Sequence, residues 1–246
     1  MNKNKNYTFI RERMKYLKLT DRLLKIASLV DKDKKIADIG TDHGYIPVYL
    51  LNKNIINYAI LGDINKGPLE NAKKEVVRNN LSDKVDLRLG SGIEVLKPNE
   101  VDQIIIAGMG GVLINDILKA NEPVAHSAEK LILQPMQSPE ELRKFLYKNG
   151  YEILDEYLVR EEHRLYEIIV CRYRDLEPSQ IDSIYYEVGQ KLIEKNDPLI
   201  KDFIENKIRI NKNILNKLEG KEGSVVEERK AIVSKKIEDL NSLLSR

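Results

Sequence analysis

Residues 37 to 50 read ADIGTDHGYIPVYL, and the fold is decided there. An apolar run of strand type ends at Gly40, a turn holding Asp42 and His43 follows, and beyond Gly44 an apolar pattern with helical spacing begins. A strand that enters a helix through a glycine-bearing turn is the repeating unit of parallel α/β sheets, and their ligands lie beyond the carboxyl ends of the strands.

Working outward, KIADIG (35 to 40) is the first of five short β-branched-rich runs, followed by YAILGDI (58 to 64), VDLRLG (85 to 90), QIIIAGM (103 to 109) and KLILQP (130 to 135). The segments between them, including GPLENAKKEVVRNN and SPEELRKFLYKNG, have helical spacing, with Pro68 and Pro139 near starts and Gly150 after an end. Such alternation implies parallel strands joined by right-handed crossovers. After Gly150, YEILDEYLVREE and RLYEIIVCRYR follow each other too closely for a helical crossover, so residues 151 to 174 read as an antiparallel hairpin that closes the sheet. The expected class is α/β: a doubly wound, Rossmann-like sheet of five parallel strands plus a C-terminal antiparallel hairpin. Ahead of it, TDRLLKIASLV reads as a helix capped by Thr20, with Leu23, Leu24, Ala27 and Val30 on one face.

From about Asp175 the chain changes character, with few glycines and no strand-like runs. Apolar residues recur at Ile200, Ile204, Ile208, Leu215 and Leu218, then at Val226, Val233, Ile237, Leu240 and Leu244, with EGKEGS between the two series. Spacings of 3, 4 and 7 make a narrow apolar seam, as a coiled-coil hairpin of two helices requires. The expected division is therefore a basic arm over 1–19, the sheet domain over 20–174 and a helical coiled-coil domain over 175–246.

Charge is unevenly spread. Residues 1 to 35 hold eleven Lys and Arg against four acids, while the whole chain of 246 residues has 41 against 39, so the remainder is acidic. A basic leading segment suits a polyanion such as RNA, although a solvated tail has the same composition. No apolar stretch approaches the roughly 20 residues that cross a bilayer, and the N-terminus has no apolar core of signal type, so a cytoplasmic protein is expected. Cys171 has no partner in the chain, and His43, His126 and His163 share no ligand spacing, so neither a disulfide nor a metal is expected.

The quoted turn also restricts the ligand. A dinucleotide fingerprint counted from Gly40 needs glycine at 42 and 45, where the chain has Asp42 and Tyr45. A carboxylate beside a pyrophosphate is repelled by a few kcal/mol in a partly dry site. S-adenosylmethionine carries an ammonium and a sulfonium and no phosphate, and the acid-rich turn from Asp38 through Gly40 to Gly44 suits it. Asp63, with Ile64 beside it, ends the second strand, where an acid accepts hydrogen bonds from ribose hydroxyls. Gly90, Ser91 and Gly92 end the third, where open backbone borders an adenine. After the fourth, AGMGG places Gly108 and Met109 beside the cofactor, and its glycines 108, 110 and 111 leave an open floor for a substrate base.

These segments, RLLKIASLV, KIADIGTDHGYIPVYL, AILGDINKGPLENA, LGSGIEVL, QIIIAGMGG, LILQPM and LYEIIV, together resemble the bacterial tRNA (adenine-22-N1)-methyltransferases over roughly residues 20 to 174. The resemblance implies a class I methyltransferase domain, S-adenosylmethionine as donor, tRNA as substrate and a helical C-terminal domain. By position it carries the family's acid onto Asp42, with His43 beside it, and a basic residue of the first helix onto Arg22. Asp42 is then expected to stabilise the charge that builds on the methylated adenine, and Lys15, Lys18 and Arg22 to meet tRNA phosphates. Ser91 departs from the pattern, since the family usually has an acid there. A monomer or weak dimer is expected. Two rivals remain open: a methyltransferase acting on another nucleobase or a small molecule, and a catalytically degenerate module that binds RNA or protein.

Overall fold

The computed structural model describes residues 18–178 and 181–245. The β-branched runs form strands β1 (Lys35–Ile39), β2 (Tyr58–Asp63), β3 (Val85–Leu89), β4 (Gln103–Gly110) and β5 (Lys130–Gln137), and the hairpin forms β6 (Tyr151–Glu161) and β7 (Arg164–Tyr173). Helix α1 (Asp21–Ser28) precedes β1, α2 (Tyr45–Asn52) and α3 (Lys66–Arg78) follow β1 and β2, and a 3₁₀ turn (Gly92–Val95) follows β3. Helices α4 (Gly111–Ala120) and α5 (Glu122–Ser127) join β4 to β5, and α6 (Pro139–Lys148) leads to β6. The sheet order is β3-β2-β1-β4-β5-β7-β6, with β5 pairing antiparallel to β7 and β7 antiparallel to β6.

Because β1 lies between β2 and β4, the connections leave it in opposite directions, and this reversal is the place where such sheets open a crevice. Residues of β1, β2, β4 and β5 alternate between two covered faces. Ala37, Ile104, Ile106, Leu131 and Leu133 pack with Ile114 and Leu118 of α4 and Leu142 and Leu146 of α6. Ile36, Leu61, Ile105 and Ile132 pack on the other side with Ile26 of α1, Leu50 of α2 and Val76 of α3. Burial on both faces explains why these strands read as continuous apolar runs.

Three local expectations are corrected. Thr20 stands at the N-cap of α1, but its side chain makes no cap bond. Its hydroxyl bonds Glu161 instead, and Glu161 Oε2 accepts the Arg22 backbone N–H at 3.0 Å, so a carboxylate from β6 caps the helix. Leu24 is exposed, and the buried stripe runs through Ile26, Ala27 and Val30. The glycines after β4 are not all open floor. A Cβ on Gly108 or Gly110 meets nothing within 4 Å, whereas one on Gly111 would lie 2.2 Å from the Ser138 carbonyl oxygen. Ser138 itself sits at φ 50, and the absent Cβ of Gly111 lets the start of α4 approach the start of α6 closely.

Beneath the sheet edge, Arg143 of α6 is wholly buried, with Nε 2.6 Å from Glu156 Oε1 and Nη2 2.6 Å from Glu167 Oε2. These pairs fasten the helix to both strands of the hairpin.

The chain divides into two compact units, Met1–Ser179 and Gln180–Arg246. The second is helical, with α7 (Ile184–Glu187), α8 (Gln190–Glu194), α9 (Ile200–Leu218) and α10 (Ser224–Leu244). Phe203, Ile204 and Ile208 of α9 are buried along with Val233, Leu240 and Leu243 of α10. Leu244, expected in the seam, is exposed, because a straight helix of 3.6 residues per turn brings Leu243 round in its place. Among the described residues no helix is long and apolar enough to cross a membrane.

Candidate active site

A cavity of about 330 Å³ opens at the carboxyl ends of β1 and β4, lined by Arg22 and Leu23 of α1, residues of the 38–46 turn, Ala107 and Gly108. The turn is built by its glycines and one threonine. Gly40 (φ 75) and Gly44 (φ 66) take left-handed conformations, and a Cβ on Gly44 would lie 2.7 Å from the Leu61 side chain. Gly40 N–H donates to the Gly62 carbonyl at 2.8 Å, which anchors the turn on β2. Thr41 Oγ1 accepts the Gly44 N–H at 3.1 Å and so closes the start of α2.

Asp38 forms the floor. It is 8% exposed, and burial pushes its carboxyl up to about 6, opposed by the Thr41 hydrogen bond and assisted by the charge of Asp63. Asp42 stands at the mouth with its side chain 74% exposed, its Oδ2 3.3 Å from His43 Nε2. The His43 ring stacks on Tyr45, centroids 4.8 Å apart. Two carboxylates, one dry and one wet, thus face one space.

The remaining expected residues divide. Gly40 and Gly108 line this cavity, while Met109 lays its side chain over Gly40, where an added Cβ would lie 1.9 Å from the methionine methyl carbon. Asp63, Ile64 and the segment Gly90, Ser91 and Gly92 lie outside its lining and form the neighbouring strand ends. They are joined to one another: Gly90 N–H donates to the Asp63 carbonyl at 3.0 Å. Asp63 Oδ1 accepts the Asn65 N–H at 2.7 Å, and Ile64 is exposed. Gly92 takes φ 50 at the head of the 3₁₀ turn, and its absent Cβ leaves room for Ile117 at 3.0 Å. Lys18 is exposed, and Lys15 lies outside the described residues. Arg22, expected to meet tRNA phosphates, lines the cavity, its Nη1 2.7 Å from Gln134 Oε1.

Gln134 escaped the sequence reading. It is fully buried near the end of β5, and the same Oε1 accepts the Gly108 N–H at 3.2 Å. The available signal was a lone amide ending the apolar run KLIL. Thr41 was also missed, as a small residue in a turn. Among the described residues no group of three His, Cys, Asp or Glu is placed to hold a metal ion.

The donor set suits an adenosyl sulfonium. A deep carboxylate, glycine backbone that a Cβ would obstruct, and an acid ending β2 are what a cationic, phosphate-free nucleoside ligand needs, and the volume lies in the range of small-molecule sites. Fold and cavity together define a methyltransferase of the doubly wound class, and residues 19–169 match the family model described as a methyltransferase domain. The Bacillus subtilis tRNA (adenine(22)-N(1))-methyltransferase is 40% identical over 162 residues, which is 66% of this chain and 68% of that protein. The crystal structure of the B. subtilis M1A22 tRNA methyltransferase TrmK superposes with a TM-score of 0.83 at 29% identity, covering 92% of this chain and 99% of that one. M. capricolum TrmK in complex with S-adenosyl-homocysteine gives 0.77 at 27% identity, with 92% and 99% covered. The chain belongs to the tRNA (adenine(22)-N(1))-methyltransferase family.

Proposed function

We propose that the protein transfers a methyl group from S-adenosylmethionine to N1 of an adenine in tRNA, adenine 22 by family membership. The observation that carries the reading is the pair of carboxylates at one crevice: Asp38 buried at its floor and Asp42 solvated at its mouth.

When bound, S-adenosylmethionine supplies a methyl group on a positively charged sulfur. Asp38 and the glycines of the turn hold the methionyl end, Asp63 takes the ribose hydroxyls, and Gly90, Ser91 and Gly92 border the adenine, with Ile64 covering it and Gly108 and Met109 closing the side. The adenine N1 of the substrate is a lone-pair nucleophile, so no base need remove a proton before attack; the N1–C bond forms as the S–C bond breaks. Alignment of the two reactants supplies most of the rate, an effect of about 7–11 kcal/mol in well-oriented systems. Asp42 accepts a hydrogen bond from the exocyclic amine and opposes the positive charge that grows on the ring. His43, 3.3 Å away, fixes the carboxylate and is itself steadied by Tyr45.

N1 lies on the pairing edge of the base, so the target must leave its stack, at a cost of a few kcal/mol. Exposed Tyr45, Met136 and Val112 surround the strand ends and offer surface to an extruded base. Lys15 and Lys18 of the basic arm contact phosphates, and recognition rests on tRNA shape more than base sequence. The protein acts in the cytoplasm as a monomer or weak dimer, with the arm (1–19), catalytic domain (20–174) and helical domain (175–246) as separate parts.

The test is to incubate the protein with bulk tRNA and methyl-labelled donor, digest, and identify the nucleoside. Label in 1-methyladenosine, mapped by a reverse-transcription stop at position 22, is expected. Label in another nucleoside, or none with the donor bound, would refute the assignment.

A further inference from the structure

A second cavity, of about 360 Å³, opens at the other end of the sheet. Tyr151 begins β6 and pairs with Tyr173 of β7, which lies past Cys171, the partner of Leu131 near the amino end of β5. The donor crevice is at the carboxyl ends of β1 and β4, and methyl transfer makes no use of this space.

Its floor is aromatic. The His126 ring of α5 stacks on Tyr173 with centroids 3.5 Å apart, Tyr151 stands T-shaped to both at 5.9 and 5.4 Å, and Phe145 of α6 lies 5.8 Å from Tyr151. Its rim is acidic. Glu122, Asp175 and Glu177 are exposed around it and join no ion pair among the described residues, while the lining opposes to them the ammonium of Lys148. Helix α6 ends here at Lys148 and the Asn149 cap, so the negative end of its dipole faces the same space. Burial pulls His126 down more than the charges of Glu122 and Asp175 raise it, so the ring is a neutral aromatic surface. One ammonium of the chain already uses this cluster, since Lys119 Nζ stands 5.2 Å from the centre of the Phe145 ring.

One polar group is left over. Tyr151 is 3% exposed and lines the cavity, yet its hydroxyl makes no hydrogen bond among the described residues. Burial pushes the phenol up, helped by Cys171 and Glu122, so it remains a neutral O–H with lone pairs to offer. Buried polar groups are normally satisfied. An anionic ligand would be repelled by the three carboxylates of the rim, and a neutral apolar one would leave the hydroxyl unbonded. An alkylammonium satisfies all three features, because its N–H groups donate to the phenol oxygen and the carboxylates while its methylenes lie on the rings.

We propose that this cavity binds a small aliphatic diamine in its doubly protonated form, with one ammonium held by the rings and the Tyr151 oxygen and the other by the acidic rim.

The experiment is calorimetric titration of the full-length protein, Tyr151→Phe and Glu122→Gln with 1,4-diaminobutane. Butane-1,4-diol serves as the neutral analogue, and Nα-acetyl-lysine amide presents a single ammonium as a protein side chain would. The wild type is expected to bind the diamine saturably and the diol not at all, with the lysine amide at least about 10-fold weaker than the diamine. Tyr151→Phe keeps the ring and Glu122→Gln changes an exposed position, and each should weaken the diamine by about 10-fold or more, the range for a hydrogen bond to a charged group. S-adenosylmethionine affinity should stay within about twofold in both variants, since its crevice is elsewhere. Absence of saturable diamine binding, equal binding of the diol, variants that keep the diamine affinity, or variants that weaken the methyl donor as much as the diamine would overturn the inference. A lysine amide bound as tightly as the diamine would overturn it too, and would give the cavity to a protein side chain.

Discussion

The Asp38 carboxylate takes a hydrogen bond from the Thr41 hydroxyl, and the oxygen of that hydroxyl accepts the Gly44 N–H at 3.1 Å. One threonine thus ties the floor of the cavity to the first turn of α2. The bond partly compensates a carboxylate that is otherwise held in a dry place, and the compensation is incomplete, since burial still prevails and the carboxyl titrates at about 6.

The pH dependence follows with an unusual sign. The folded protein holds a proton on Asp38 below about pH 6, whereas the unfolded chain releases it near 3.8. Between those values the folded state binds more protons, so this group makes the ligand-free protein more stable as pH falls, by about 3 kcal/mol across the window. A cationic donor favours the ionised form, so its binding should expel a proton and its affinity should decline below about pH 6. Calorimetry in buffers of different ionisation enthalpy measures the proton release. In Asp38→Asn both the release and the pH dependence should vanish; an unchanged profile would place the titrating group elsewhere.

Asp42 is solvated and carries no part of the core, so Asn should be accepted there without loss of fold. Asp42→Asn retains an acceptor oxygen for the exocyclic amine and deletes the charge. Donor binding should remain within about twofold, while methyl transfer should drop by roughly 10²- to 10³-fold, the range for removing one transition-state stabiliser. Single-turnover rates with saturating donor and tRNA distinguish the two effects. Near-normal turnover would remove Asp42 from the mechanism.

What could be read from sequence was what depends on neighbours along the chain. The five strands, the hairpin and the turn at 37–50 follow from local periodicity and glycine placement, and Gly150 indeed takes φ 77 one residue past the Asn149 cap of α6. The site was legible in part for the same reason, because strand ends carry their own glycines and acids. What was illegible is set by distant partners. Thr20 has the residue type of a cap, yet Glu161, 139 residues beyond Arg22, does the capping. Arg22 has the look of a phosphate-binding cation, and only the sheet brings it to Gln134, 112 residues away. Arg143 falls in PEELRKFLYK, which reads as a solvated helix face until two strands supply its counter-ions.

Asp63 anchors its own turn through Asn65 while standing at the end of β2. Replacement by alanine removes the two oxygens proposed to accept the ribose hydroxyls and loosens the entry to α3. Asp63→Ala should therefore weaken donor binding by about 10-fold or more, consistent with one or two hydrogen bonds to a charged acceptor. Asp63→Asn should preserve the Asn65 turn and recover part of that loss. Titration with S-adenosylhomocysteine gives the comparison without turnover, and unchanged affinity in both variants would contradict the ribose role.

Arg143 provides a test of the frame that holds the hairpin to the sheet. Its two partners, Glu156 and Glu167, lie at 2.6 Å and all three groups are buried, so deletion of the cation leaves two carboxylates in a dry layer without its charge. Breaking a buried ion group from one side costs about 3–5 kcal/mol, whereas replacing the whole group by neutral side chains is often close to neutral. Arg143→Met should lower the stability measured by urea unfolding by that amount. Adding Glu156→Gln and Glu167→Gln to the same variant should restore most of it, because the remaining amides carry no charge to desolvate. If the single variant lost under about 1 kcal/mol, water must reach the triad on unfolding's native side. If the triple variant were weaker still, the glutamates would be serving the hairpin through contacts other than the arginine.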